Sequence, residues 1–158
     1  MENKKLVLFQ IGTQTYGMSM EYVFMIENIK EVIPVPNAPQ FIDGILNLRG
    51  EIIPVYSLHK KLKIEEDSSS VQNQFIIAKS EAITCAFKVD GVSEIIEVSN
   101  KEFHEPPAVI KADETAYVEG IVNHRGLLIL AINADYMMNE AERKNMNKIV
   151  KQFETVEQ

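Results

Sequence analysis

The sequence predicts a mainly β fold of two similar small antiparallel barrels sharing one core, and three observations carry that reading. The stretch Gly44-Ile45-Leu46-Asn47-Leu48-Arg49-Gly50-Glu51-Ile52-Ile53 returns 76 positions later as Gly120-Ile121-Val122-Asn123-His124-Arg125-Gly126-Leu127-Leu128-Ile129. A repeat at about half the chain length points to two related units side by side. Short apolar segments separated by turn residues about every ten positions, twice over, suit barrels rather than an alternating strand-helix fold. A unit of about 70 residues buries too little surface to stand alone, so the two units share a core and behave as one domain.

Taken in order, Leu6 to Ile11 is an apolar strand that turns through Gly12-Thr13-Gln14 into a partner at Thr15 to Met20. Glu21 to Ile26 reads as one helical turn and Asn28 to Val35 as a strand. The strand stops where Pro34, Pro36 and Pro39 remove backbone donors. Gly44 to Leu48 and Glu51 to Val55 form a hairpin whose two-residue tip is Arg49-Gly50, the glycine accepting positive φ. Ser57 caps a short helix through Leu62. The acidic and polar run Glu65 to Ser70 is an exposed connection and the boundary between halves.

The second half continues with strands at Gln74 to Ala78, Ile83 to Val89 and Glu94 to Val98. A loop at Asn100 to Thr115 holds a helical turn at Lys101 to Phe103, and the second hairpin spans Tyr117 to Ile132. In Ile83 to Val89, alternation of apolar with smaller or polar residues suits a half-buried strand. From Asn133 as N-cap, apolar residues Met138, Ala141, Met146, Ile149 and Phe153 predict a helix to about Phe153.

Composition narrows the function. Apolar residues make up 46% and charged residues 25% of the 158, the profile of a globular domain. A net charge of −7 and a pI near 5.0 oppose binding to phosphate backbones. A single-stranded nucleic-acid barrel would need a basic groove with exposed aromatics, and aromatics are only 8% here. The apolar run after Lys5 is too short for a signal-peptide core and no stretch reaches a membrane span, so a cytoplasmic protein is expected. The single Cys85 excludes an internal disulfide framework.

Chemistry-bearing residues are sparse. Cys85 lies mid-strand with no activator nearby in sequence, the setting of a buried small hydrophobe. His59, His104 and His124 lack metal-ligand spacing, and no metal or other cofactor is expected. Asp90-Gly91 reads as a turn and Glu94 as solvated. A small enzyme with a site between the barrels, using His124 or Cys85, is the rival of another class. Asn47 and Gly50 are explained by turn chemistry, Asn47 closing the turn through its side chain, but Arg49 is not.

Several of these segments together resemble the CheW family of bacterial chemotaxis coupling proteins. They are Phe9-Gln10-Ile11-Gly12, Tyr16-Gly17-Met18, Val23, Ile26, Ile33-Pro34-Val35-Pro36, Gly44 through Val55 with Leu58, Val89-Asp90-Gly91-Val92-Ser93-Glu94-Ile95 and Gly120 through Ile132. The resemblance covers roughly Lys5 to Met138. It implies two five-stranded SH3-like β-barrel subdomains packed on a shared hydrophobic core, near residues 5–64 and 72–138, with exchange of strands between them left open. A helical C-terminal tail follows at 139–158, all within one CheW-like domain.

The resemblance also implies a non-catalytic adaptor. Its partners are the cytoplasmic tips of methyl-accepting chemoreceptors and the regulatory domain of the histidine kinase CheA, at membrane-associated arrays. Matched position by position, Val23, Gly44, Asn47, Arg49, Phe75, Val92 and Ile95 are the receptor-groove residues, and Ile33, Val35, Ile52 and Ile53 form the kinase-binding strip. Arg49 orders the groove or pairs with a receptor acid, while Arg125 finishes the equivalent turn. One departure stands out: relatives carry Val-x-Glu-Ile where this chain has Val23-Phe24-Met25-Ile26. Either Glu27 or Glu51 is then left to partner Arg49.

Overall fold

Eleven strands and two α-helices form among the described residues of the computed structural model, which are 3–28, 31–65, 74–81, 84–108 and 116–157. The strands are β1 (Lys4–Ile11), β2 (Gln14–Ser19), β3 (Val23–Asn28), β4 (Ile42–Leu48), β5 (Glu51–Ser57), β6 (Gln74–Lys79), β7 (Thr84–Val89), β8 (Gly91–Val98), β9 (Phe103–His104), β10 (Val118–His124) and β11 (Leu127–Ile132). The helices are α1 (Leu58–Leu62) and α2 (Glu140–Glu157). Beyond Glu65, the acidic connection lies outside the described residues, as do Ile83 and residues 109–115 of the expected long loop.

The strands sort into two sheets. Sheet one has six strands in the order β8-β1-β2-β11-β10-β9, and sheet two has five in the order β3-β6-β7-β5-β4. The sheets do not follow the division at 5–64 and 72–138. Sheet one takes both ends of the chain and sheet two its middle, so β1 and β2 cross to the later strands and β6 and β7 to the earlier ones. The pairing is also not wholly antiparallel. β2 lies parallel to β11, with Tyr16 opposite Leu130, and β5 parallel to β7, with Val55 opposite Ala86. A parallel step needs a connection longer than a hairpin turn; between β5 and β7 that connection includes α1 and β6.

Both faces of the inner strands are buried, which is why they read as continuous apolar runs. Leu6 and Leu8 of β1 join Ile96, Val122 and Ile129 inside sheet one. Leu46, Ile53, Val55, Phe75 and Ile77 fill sheet two. The opposite faces meet in a shared cluster containing Phe9, Ile11, Met18, Tyr56, Ile76, Phe87 and Met146. Tyr56 stands edge-on to Phe87 there, and its buried hydroxyl donates to the Met137 carbonyl at 3.0 Å, joining sheet two to the chain after β11. Burial pushes the Tyr56 hydroxyl well above its ordinary range, so it stays protonated.

Four local expectations change, one of them at Lys101 to Phe103, where no helix forms and a turn at 101–102 leads straight into β9. Glu21 to Ile26 is not a helical turn: a 3-10 turn at Met20–Tyr22 gives way at once to β3, whose β-branched Val23 and Ile26 pair with β6. Of the strand expected at 28–35, Asn28 ends β3, and the described residues 31–35 form a single bridge, between Ile33 and Ile45. The C-terminal helix also begins later. Asn133 caps a 3-10 turn at Ala134–Tyr136, accepting from the Asp135 amide at 2.9 Å. α2 then has its own reciprocal cap: Asn139 Oδ1 accepts from the Glu142 amide at 2.8 Å and the Asn139 amide donates to Glu142 Oε1 at 3.1 Å.

Candidate functional site

The repeated motif builds the same device in each sheet. Leu48 faces Glu51 and His124 faces Leu127 across two-residue loops. Arg49 and Gly50 have φ of 53° and 91°, and Arg125 and Gly126 have 52° and 83°. Positive φ at both central residues is the type I′ turn that matches strand twist. Thus the arginine, as well as the glycine, sits in the left-handed region. Asn47 Oδ1 closes the first turn by accepting from the Gly50 amide at 2.8 Å.

Upstream, the repeated glycine follows a bulge in each edge-side strand, at Asp43 in β4 and Glu119 in β10. A Cβ on Gly44 would lie 2.2 Å from the Ile33 carbonyl oxygen; one on Gly120 would lie 2.5 Å from the Phe103 ring and 2.7 Å from the His104 carbonyl oxygen. Each glycine therefore makes room for a crossing segment of its own chain. For Gly44 that segment is the backbone of Ile33.

The other groove residues divide. Arg49 and Asn47 are exposed at the β4–β5 tip. Val23 and Val92 are half-buried and pack on the rim of the shared cluster, so strands from both sheets meet there. Phe75 is a correction: it is 1% exposed inside sheet two, since β6 is flanked on both sides and its odd positions point inward. Ile95 is 52% exposed but stands apart, beside Arg125, His124, Glu94, Glu97 and Leu127 around a shallow recess of about 550 Å³. Among the described residues no ion pair joins Arg49 to a carboxylate. Met25 packs against the apolar cluster inside sheet two.

The expected kinase strip is largely covered. Ile33 is 48% exposed and Val35 half-buried, whereas Ile52 and Ile53 are buried. Ile53 belongs to the interior of sheet two; Ile52 and Ile45 lie under Ile149 of α2, with Val35 and Phe153 packed against them.

Sequence reasoning missed a polar clasp where the chain crosses from β7 to β8. Asp90 accepts from the Gly12 amide at 2.7 Å and bonds His59 Nε2 at 3.0 Å, and the Asp90 amide donates to the Gln10 carbonyl at 3.0 Å. Buried His59 on α1 is thereby tied to the β1–β2 turn. The signal available was the Asp90-Gly91 pair, read only as a turn. A second clasp joins Glu102 to the Ser99 amide at 3.0 Å and to His124 Nδ1 at 2.7 Å, and these bonds, the Ser99 amide foremost, hold the Glu102 carboxyl below its usual range. Cys85 is fully buried and burial pushes its thiol up, opposite to what a nucleophile requires.

A family profile described as the CheW-like domain matches residues 5–142. The chain is 29% identical over 149 residues to the chemotaxis protein CheW of Treponema pallidum, covering 92% of this chain and 88% of that protein. It is 27% identical to the chemotaxis protein CheW of Bacillus subtilis, covering 87% and 88% respectively. The crystal structure of the scaffolding protein TtCheW from Thermoanaerobacter tengcongensis superposes with a TM-score of 0.80 at 30% identity, over 89% of this chain and 96% of that one. Two sheets sharing a core, an Arg-Gly hairpin in each and a profile match over nearly the whole length lead to one conclusion: the chain belongs to the CheW-like family.

Proposed function

We propose that this protein is a non-catalytic chemotaxis scaffold that couples the cytoplasmic tips of methyl-accepting chemoreceptors to the histidine kinase CheA. The observation that carries the reading is the match to the CheW-like domain over residues 5–142, since relatives named as chemotaxis proteins align over nearly their whole length. The exposed Arg49 supports it: the guanidinium is held on a rigid type I′ turn and has no carboxylate partner among the described residues, which leaves it available to a receptor acid. Val23 and Val92 supply apolar contact on the rim between the sheets, the helix-in-groove mode of recognition. Among the described residues no helix is long and apolar enough to cross a membrane.

A pull-down with receptor cytoplasmic fragments and full-length CheA tests the proposal. The native protein is expected to capture both and to support kinase activation in reconstituted arrays. Arg49→Glu is expected to lose receptor capture while keeping its fold. Capture of neither partner, or full kinase activation by Arg49→Glu, overturns the reading.

A further inference from the structure

Helix α2 meets the body in two different ways along its length. Its first turns are fixed: the Asn139–Glu142 cap closes the start, Arg143 Nη2 donates to the Asp135 carbonyl at 2.7 Å, and Met146 is 1% exposed in the shared cluster. Beyond Met146, Ile149 and Phe153 are the described residues of the helix that join the small apolar cluster with Val35, Ile45 and Ile52. Lys144, Asn147, Lys148, Lys151, Gln152 and Glu154 face solvent. A helix of this length is marginal in water without tertiary packing, so the distal half is held by that small seat. Segments with few buried apolar contacts open at a fraction of the global unfolding free energy.

The equivalent hairpin of sheet one carries no such seat among the described residues. Leu128 occupies the repeat position of Ile52, 76 residues on, and pairs regularly with Asn123 while 58% exposed with no helix over it. The seat also continues an apolar edge that is already open. Ile33 exchanges backbone hydrogen bonds with Ile45 at 2.8 and 2.9 Å and is 48% exposed beside it. Finally, the strip expected to meet the kinase and the seat of α2 share Val35 and Ile52, and one surface cannot hold both occupants.

We infer that α2 from Ile149 onward is a displaceable cover over an apolar docking strip made by Val35, Ile45 and Ile52, and that the kinase regulatory domain competes with it for that strip. The inference rests on the scaffold reading for the identity of the partner. Kinase docking then requires the helix end to lift, and the free protein is held in a state of reduced affinity.

The test compares the native chain, Ile149→Asp/Phe153→Asp, and Ile52→Cys/Ile149→Cys in reduced and oxidised forms; fully buried Cys85 stays out of the cross-link. If the open state is populated at about one part in ten, releasing the cover tightens binding to full-length CheA about ten-fold. Oxidation of the cysteine pair is expected to weaken it by at least that factor, reversibly with reductant. Phe153→Asp alone serves where the double substitution disturbs folding, as judged by its circular dichroism. No tightening on release, or no weakening on oxidation, overturns the cover. Loss of CheA binding by a folded released variant also overturns it, since α2 would then be part of the interface. If the native and reduced proteins both fail to bind CheA, the scaffold reading falls, and the cover is judged without a partner. Oxidation must then slow amide hydrogen exchange across residues 148–154, and unchanged exchange sinks it.

Discussion

The hairpins at Arg49 and Arg125 share backbone geometry almost angle for angle, yet their surroundings differ. Both have an arginine and a glycine at positive φ and a glycine after a bulge admitting a crossing segment. The first is covered on one face by α2, which buries Ile45 and Ile52. The second is bare there, with Leu127 45% and Leu128 58% exposed. At its base His124 is clasped by Glu102, whereas the matching position in the first hairpin is the buried Leu48. Duplication thus preserved what the backbone needs and left the outer faces free to diverge.

The largest effect should come from the repeated glycines. Gly44→Ala forces a Cβ against a backbone oxygen 2.2 Å away, and a loss of about 3 kcal/mol is expected by urea denaturation, the upper end for overpacking. Gly120→Ala, whose nearest neighbour is the edge of a ring, should lose less. Equal, small losses at both sites would mean that the crossing segments move aside readily. Next come the covered and bare faces. Ile52→Ala should lose about 2 kcal/mol, the lower end for truncating a buried isoleucine. Leu128→Ala should stay within about 0.5 kcal/mol as a surface change. A similar loss at both positions would break the distinction drawn between them.

The arginines separate stability from binding. Arg49→Gly and Arg125→Gly each relieve a left-handed L-residue, so each should gain up to about 1 kcal/mol after the greater freedom of unfolded glycine is counted. Only Arg49→Gly should weaken capture of receptor fragments; equal weakening by both would make the two turns functionally alike. The smallest effect concerns Glu102, whose carboxyl is held low in the fold by the Ser99 amide and His124. Its contribution is present above the ordinary carboxylate pKa and disappears as pH falls through the depressed folded value. The melting-temperature gap between native protein and Glu102→Gln should therefore be present at pH 7 and shrink as pH falls below the ordinary carboxylate range. A gap undiminished in acid would remove the clasp from the account of the second hairpin.

Turn chemistry was legible because it is local. Arg49-Gly50, Ser57 and Asn133 act within a few residues of themselves, and all three behave as read, with Asn133 capping a shorter element than expected. Sheet membership was not legible, because the pairing of β2 with β11 joins Tyr16 to Leu130 and no local pattern encodes it. Phe75, Ile52 and Ile53 show a second limit. An apolar residue in a strand declares that something covers it, but not whether the cover is a partner, the other side of a barrel or a helix from the end of the same chain. For these three it is the protein itself.

The division of strands between the sheets has a consequence for how the chain folds. Sheet two is contiguous, from Val23 to Val89, and every one of its strands precedes β8 in the chain. Sheet one has its first hairpin, Lys4–Ser19, ahead of sheet two in the chain and its parallel neighbour, Leu127–Ile132, after it. Closing a loop over such a separation is slow, so contacts within sheet two are expected to form ahead of the β2–β11 pairing, which completes the core that both sheets share.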